Sequence, residues 1–166
     1  MKDINSVDFS KIQFVLMDMD GVLTDGSITY SSNGEMLKTF NAHDGFGINR
    51  GRLNGLKFAI ISGMSAVANE MRAKRLNIEE LYQNCSDKCE AANEIKAKYG
   101  LTDEELCFMG DDVFDIPLLN QVGFSACPPE AIAEVRDEVH YITKVHAGRG
   151  CVREMIDYIL RRQGKI

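Results

Sequence analysis

Short apolar runs, each closed by a polar cluster, recur along the chain with amphipathic stretches between them. Phe14-Val-Leu-Met17 runs into Asp18-Met-Asp20-Gly21, Lys57-Phe-Ala-Ile-Ile61 into Ser62-Gly63, and Leu106-Cys-Phe-Met109 into Gly110-Asp111-Asp112-Val-Phe-Asp115. Apolar runs of this length with abrupt polar stops read as buried strands. Weaker strands are predicted at Leu81-Tyr82, Phe124-Ser-Ala126 and Tyr141-Ile142. The intervals predict helices. One is opened by Asp44 as N-cap and ends near Asn54-Gly55, although its internal Gly47 and Gly51 weaken the pattern. Others run from about Ser65 to Leu76, from an opening at Ser86-Asp87-Lys88 to Tyr99 with Gly100 as the stop, to about Gln121, briefly after Pro128-Pro129, and from Cys151 to Arg162. Strands alternating with helices predict an α/β fold, a parallel sheet covered on both faces. Ligands of such sheets bind beyond the carboxyl ends of the strands, where all three polar clusters fall.

One interval breaks the alternation. Ser27 to Phe40 holds two strand-like runs around Asn33-Gly34, a strong short-range hairpin signal. It predicts a β-hairpin just beyond Asp18 and Asp20. Its Ile28, Tyr30, Met36, Leu37 and Phe40 are more apolar than a solitary solvated hairpin needs, so it is expected to pack against other copies of the chain.

Composition narrows the classes. The 166 residues suit one domain spanning 1–166, and 45% hydrophobic with 27% charged residues is the balance of a soluble globular protein. A net charge of -6 argues against nucleic acid or an anionic membrane as partner. With no signal-peptide core at the N-terminus and no membrane-length apolar run, a cytoplasmic location is expected. Five scattered cysteines match no zinc spacing and read as free, mostly buried thiols.

Asp18 and Asp20 lie one residue apart at a strand end, so both side chains point the same way. Two carboxylates so placed repel unless a proton or a cation lies between them, and Mg²⁺, a hard ion taking carboxylate and phosphate oxygens, is the natural candidate. Singly, the other residues also fit structural roles: Ser62 as a helix cap, Lys88 as a solvated helix charge, Asp112 as an N-cap. Together, a nucleophilic carboxylate, a second one two residues on, a hydroxyl, a lysine and a further acidic group are the parts for phosphoryl transfer through an aspartyl phosphate.

Asp18-Met-Asp20-Gly-Val, Ile61-Ser62-Gly63, Lys88 and Gly110-Asp111-Asp112-x-x-Asp115, in this order, resemble the four motifs of the haloacid-dehalogenase-like (HAD-like) phosphatases. The resemblance implies a Rossmann-like sheet. It implies Asp18 as nucleophile, Asp20 as general acid and base, and Ser62 and Lys88 as phosphate-binding groups. Mg²⁺ would be held by Asp18, the backbone carbonyl of Asp20 and Asp111, with Asp112 and Asp115 supporting the metal shell or Lys88. Neither interval where members carry a cap domain has room for one, and only the hairpin flap remains. With Val22-Leu-Thr-Asp25-Gly, Asn41-x-x-Asp44-Gly-x-Gly-Ile and Gly148-Arg149-Gly150-x-Val-Arg153-Glu154, the chain resembles the capless, tetrameric 3-deoxy-D-manno-octulosonate (KDO) 8-phosphate phosphatases of lipopolysaccharide biosynthesis. This implies a homotetramer with sites completed by neighbours, and Asn41, His43, Asp44, Arg149 and Arg153 as substrate-binding residues. His146 is a further candidate for the sugar site. The chain departs from the family pattern at Met64, where Arg is frequent, and at Ala147-Gly148, where two glycines are frequent. The alternatives are a phosphatase of a nine-carbon sialic-acid-type 9-phosphate, a phospho-receiver domain, which orders its parts differently, and a non-enzymatic assembly domain.

Overall fold

The computed structural model describes residues 1–166. In chain order the elements are β1 (Phe14–Met17), β2 (Thr29–Tyr30), β3 (Met36–Leu37), α1 (Ala42–Leu53), β4 (Lys57–Ile61), α2 (Val67–Leu76), β5 (Glu80–Tyr82), α3 (Lys88–Tyr99), β6 (Leu106–Met109), α4 (Ile116–Gln121), β7 (Phe124–Cys127), α5 (Ala133–Asp137), β8 (Tyr141–Ile142) and α6 (Cys151–Arg162). Six strands form one sheet in the order β5-β4-β1-β6-β7-β8, and every pair in it is parallel. The chain builds outward from β1 through β4 to β5, then returns to its other side with β6, β7 and β8. The switch of direction lies beside β1, and a crevice opens there beyond the strand ends. No cap domain interrupts the sheet, and β2 with β3 makes a separate antiparallel hairpin.

Strand alternation divides the core in two. Val15 and Met17 face a cluster completed by Ile48 of α1, Ala73 and Leu76 of α2, and Met155, Ile156 and Ile159 of α6. Phe14 and Leu16 face the opposite cluster, with Ala91, Ala92 and Ile95 of α3, Leu118 and Leu119 of α4 and Val135 of α5. All four β1 side chains are thus buried, which is why the strand reads as a continuous apolar run.

Helix α1 departs from its predicted start. Asn41 is the N-cap, its side chain accepting from the His43 N–H at 2.8 Å, and Asp44 lies inside the first turn. Asp44 is fully buried and instead accepts from the Arg153 N–H at 3.0 Å. Helix α6 begins at Gly150 with no side-chain cap of its own, so Asp44 satisfies one of its orphan donors from a neighbouring helix. The internal glycines of α1 have a packing cause. A Cβ on Gly47 would lie 2.7 Å from Arg153 Cδ, and one on Gly51 would lie 2.6 Å from the Phe58 ring. Close approach to α6 and β4 outweighs the propensity lost, on the order of 1 kcal/mol per glycine.

Two smaller differences are local. Helix α2 starts at Val67 rather than Ser65, because the Ala66 N–H is taken by Gln83 Oε1 at 3.0 Å and holds the preceding loop extended. In the hairpin, Gly34 alone has positive φ (82°), its N–H donates to Ser31 O at 3.0 Å, and Ser31 pairs with Glu35. This is a three-residue loop ending in a left-handed glycine, not a two-residue turn centred on Asn33-Gly34. All five cysteines are free, and Cys107, Cys127 and Cys151 are buried. No helix is long and apolar enough to cross a membrane.

Candidate active site

The crevice beside β1 is a cavity of about 500 Å³ whose lining includes Asp18, Asp20, Ser62, Lys88, Asp111, Asp112 and Asp115. Every motif residue of the four clusters therefore meets at one place. Asn41, His43, Asp44, Arg149 and Arg153 do not line it within this chain.

Asp18 follows β1 directly, and its N–H still bonds Met109 O of the adjacent strand at 3.0 Å. The strand pairing thereby fixes the residue's backbone. One side-chain oxygen accepts from the Met19 N–H at 2.6 Å, and the other meets Lys88 Nζ at 2.8 Å. The chain then turns sharply, with Asp20 extended and Gly21 left-handed at φ 75°. A Cβ on Gly21 would lie 2.0 Å from Asp111 Oδ2, so only glycine lets the two loops touch.

Lys88 is the first residue of α3, placed by the Asp87 cap, whose side chain accepts from the Cys89 N–H at 2.8 Å. Its buried ammonium bridges Asp18 and Asp115 Oδ1, the latter at 2.5 Å. The other oxygen of Asp115 accepts from the Asp111 N–H (2.8 Å) and the Asp112 N–H (3.1 Å). Asp115 is thus fully buried with both oxygens engaged, holding the Asp111 loop and Lys88 in register. Asp112 is exposed and caps its own short turn, accepting from the Val113 N–H at 2.6 Å. The Ser62 hydroxyl, also buried, donates to Met64 O at 2.9 Å.

Burial raises the Asp18 carboxyl to about 6 against the pull of Lys88, and burial together with the charges of Asp18 and Asp115 raises Asp111 to about 7. Burial works against the Lys88 ammonium, but the two carboxylates outweigh it and raise its pKa. Carboxyl oxygens of Asp18, Asp111 and Asp115 lie within 4.8 Å of one another. A hard-oxygen donor set that repels itself fits a divalent cation. Asp111 has no hydrogen bond to either carboxyl oxygen and Asp18 has one contact on each of its own, whereas Asp115 is tied on both sides, to Lys88 and to two backbone N–H groups.

Two residues of this site went unread in the sequence. Lys38, at the end of the hairpin, places Nζ 2.7 Å from Asp20 Oδ2 with its side chain only 2% exposed. The buried Thr24 hydroxyl is 3.4 Å from Asp20 Oδ1 and accepts from the Gly26 N–H at 3.2 Å. A period-two signal was present for Lys38, which shares a strand face with the half-buried Met36 and Phe40.

The remaining candidates have other partners. Arg153 Nε bonds Asp157 at 2.6 Å and Arg149 lies 3.8 Å from Asp25. His146 pairs with Glu130, and His43 is exposed on the first turn of α1. Beyond the hairpin, a second depression of about 830 Å³ is walled by Phe40, Met71, Arg72, Lys74 and Arg75. Arg72 there stacks on the Phe40 ring at 5.0 Å and donates to Asn41 O at 2.8 Å.

A parallel sheet ending in an Asp-x-Asp turn, a buried lysine and a second acidic loop defines a HAD-like hydrolase, and residues 61–156 match the haloacid dehalogenase-like hydrolase family. The KDO 8-phosphate phosphatase of Yersinia pestis is 40% identical over 157 residues, covering 95% of this chain and 84% of that protein. The crystal structure of the Yersinia pestis phosphatase superposes with a TM-score of 0.93 at 39% identity, covering 98% of this chain and 86% of that one. The phosphatase of Moraxella catarrhalis, solved with magnesium ion, phosphate ion and KDO, gives a TM-score of 0.91 at 34% identity, covering 94% and 90%. The chain belongs to the KDO 8-phosphate phosphatase family of the HAD-like hydrolases.

Proposed function

We propose that this protein is a Mg²⁺-dependent phosphatase that hydrolyses KDO 8-phosphate to KDO and phosphate in lipopolysaccharide biosynthesis. The observation that carries the reading is the Asp18–Lys88 contact of 2.8 Å in a cavity that also holds Asp20. In the first half-reaction an Asp18 oxygen bonds to phosphorus as the bond to the sugar oxygen breaks, and Asp20 gives that oxygen its proton. In the second, Asp20 takes a proton from water, the water oxygen bonds to phosphorus, and the Asp18–phosphorus bond breaks to release phosphate. Lys88 and the Ser62 hydroxyl, once released from Met64, hold the phosphoryl oxygens. Bound Mg²⁺ supplies further positive charge against those oxygens, and Asp18, the Asp20 carbonyl and Asp111 are the residues to hold it.

Asp18→Asn, nearly isosteric, tests the chemistry: Mg²⁺-dependent phosphate release should fall at least ~1,000-fold with the fold retained. Near-normal turnover would sink the aspartyl-phosphate route. A second substrate reading rests on Met64, which is 40% exposed at the cavity edge. An apolar side chain there removes a cation that would meet a substrate carboxylate, which favours comparing the eight-carbon 8-phosphate with a nine-carbon 9-phosphate. A kcat/KM preference of roughly 100-fold, about 2.7 kcal/mol, for the nine-carbon compound would overturn the choice. The phospho-receiver and assembly-domain readings gain nothing from the relatives above.

We also propose a cytoplasmic homotetramer, assembled through the hairpin. Ile28, Tyr30 and Leu37 are 58%, 61% and 51% exposed, a large apolar display for a two-stranded element. Lys88 is the single cation among the cavity-lining residues, so a neighbouring subunit is the source for the carboxylate's partner. Arg149 is the candidate among the glycine-loop residues, and the wall of Arg72, Lys74 and Arg75 is a second source. The exposed His43, with the half-buried Asn41 that caps α1 beside it, is a further candidate for contact with substrate held by that neighbour. Arg153 and Asp44 are assigned instead to the α1–α6 contact.

A further inference from the structure

We propose that Lys38 is a positioning residue that latches the hairpin onto Asp20 and fixes which carboxyl oxygen faces the leaving group. The inference rests on Asp20 being the general acid and base of the reaction above. Asp20 is the most exposed carboxylate of the pair at the strand end, its side chain 32% accessible against 13% for Asp18. Exposure leaves a short side chain free to change rotamer, which a proton donor must not do. Two groups restrain it. Lys38 Nζ occupies Oδ2 at 2.7 Å, and Thr24 Oγ1 approaches Oδ1 at only 3.4 Å. The strong contact is charge-assisted and nearly dry, since the Lys38 side chain is 2% exposed. Lys38 has no other carboxylate within ion-pair distance, so its ammonium has one anchor in the chain. Oδ2 is therefore committed, and Oδ1 is the oxygen left to carry the proton to the sugar oxygen and to receive it from water.

The latch also ties access to chemistry. Lys38 follows β3, so the returning strand of the hairpin is pinned to the acid/base group across eighteen residues of chain. A hairpin displaced from the site takes the restraint on Asp20 with it, and catalysis is confined to the closed arrangement.

The test compares two leaving groups. A sugar alkoxide needs a proton as it departs, whereas p-nitrophenolate does not. For Lys38→Met, kcat/KM on KDO 8-phosphate should fall roughly 100-fold, and on p-nitrophenyl phosphate less than about 10-fold, as for impaired general-acid catalysis. Lys38→Arg should restore most of the difference, and Lys38→Met combined with Asp20→Asn should be no worse than Asp20→Asn alone. Amide hydrogen exchange across residues 27–40 should accelerate in both Lys38→Met and Asp20→Asn. Equal losses on both substrates, or additive effects of the two substitutions, would overturn the latch. If Lys38→Met does not fold, Lys38→Gln, which also removes the charge, decides: a change in the ratio of the two substrates beyond ~10-fold supports the latch, and an unchanged ratio with reduced hairpin protection overturns it. Failure of the underlying reading is separable, because wild-type protein would then release no phosphate from either substrate with Mg²⁺, or Asp18→Asn would remain active.

Discussion

The floor of the site and the hairpin above it are held by different physics. In the floor, Asp18, Lys88 and Asp115 are buried at the ends of adjacent elements, and each charged group has two or more partners. The sheet fixes them to within a hydrogen bond before any substrate arrives. The hairpin has two-residue strands, exposed apolar side chains and one ion pair to the rest of the site. A two-stranded ribbon is marginal on its own in water. The contrast separates two jobs: the sheet supplies reactive geometry, while an element of low intrinsic stability supplies closure, and depends on what it docks against.

The largest effect should come from breaking the floor. Lys88→Met leaves Asp18 and Asp115 buried without their shared cation, and removal of one partner from such a network costs about 3–5 kcal/mol. Urea unfolding should show that loss, together with disappearance of Mg²⁺-dependent turnover. A midpoint close to wild type would mean that water reaches the floor and that the two regions differ less than their burial implies. In the hairpin, Leu37→Asp and Tyr30→Asp should shift subunit stability by only about 0.5 kcal/mol, as exposed substitutions do. Sedimentation at micromolar protein should nevertheless show dissociation, and activity should fall with it. A fully active monomer would refute assembly through the hairpin.

The same contrast governs what the sequence disclosed. The acidic part of the floor was legible because Asp18 and the Asp111–Asp115 cluster follow apolar runs, and a strand end is a place that alternation and burial define, whereas Lys88, at a helix start, was read only through the order of the motifs it resembles. The Tyr141–Ile142 strand and the Cys151–Arg162 helix were legible to the residue for the same reason. Asp44 was misplaced because its partner, the Arg153 N–H, is over a hundred residues away, and a local capping rule sees only its own helix. Gly47 and Gly51 looked like breakers because what they accommodate, Arg153 and Phe58, comes from other elements. Lys38 was missed because a lysine beside apolar residues ordinarily reads as solvated, and its half-buried partner Asp20 is on a loop the hairpin folds back to. Apart from the hairpin loop, whose glycine position was read but not its length, long-range pairings were the part not written in the pattern.

An effect on stability alone, with no change in activity, lies outside both regions and sets the scale for acid sensitivity. His140 is buried beside β7, where its Nδ1 accepts from the Ser125 N–H at 3.1 Å and lies 2.9 Å from the Ser125 hydroxyl. Burial first, and then the nearby charge of Lys2, push the imidazole down to about 4 against the opposing pull of Asp3. Above its ordinary value near 6.5 both folded and unfolded states are neutral there, and His140 leaves stability unchanged. As pH falls toward 4 the unfolded chain takes up a proton that the folded one refuses, so stability declines across that window. The loss should be about 1 kcal/mol. Asp18 and Asp111 pull the other way, since their raised pKa values make protonation in the same range favour the folded floor. The difference in urea stability between wild type and His140→Asn should therefore shrink from pH 7 to pH 5, while the Asp111→Asn difference moves in the opposite direction. A His140 difference that is flat with pH would show that the ring takes up its proton in the fold as readily as in the unfolded chain and that burial does not hold it neutral.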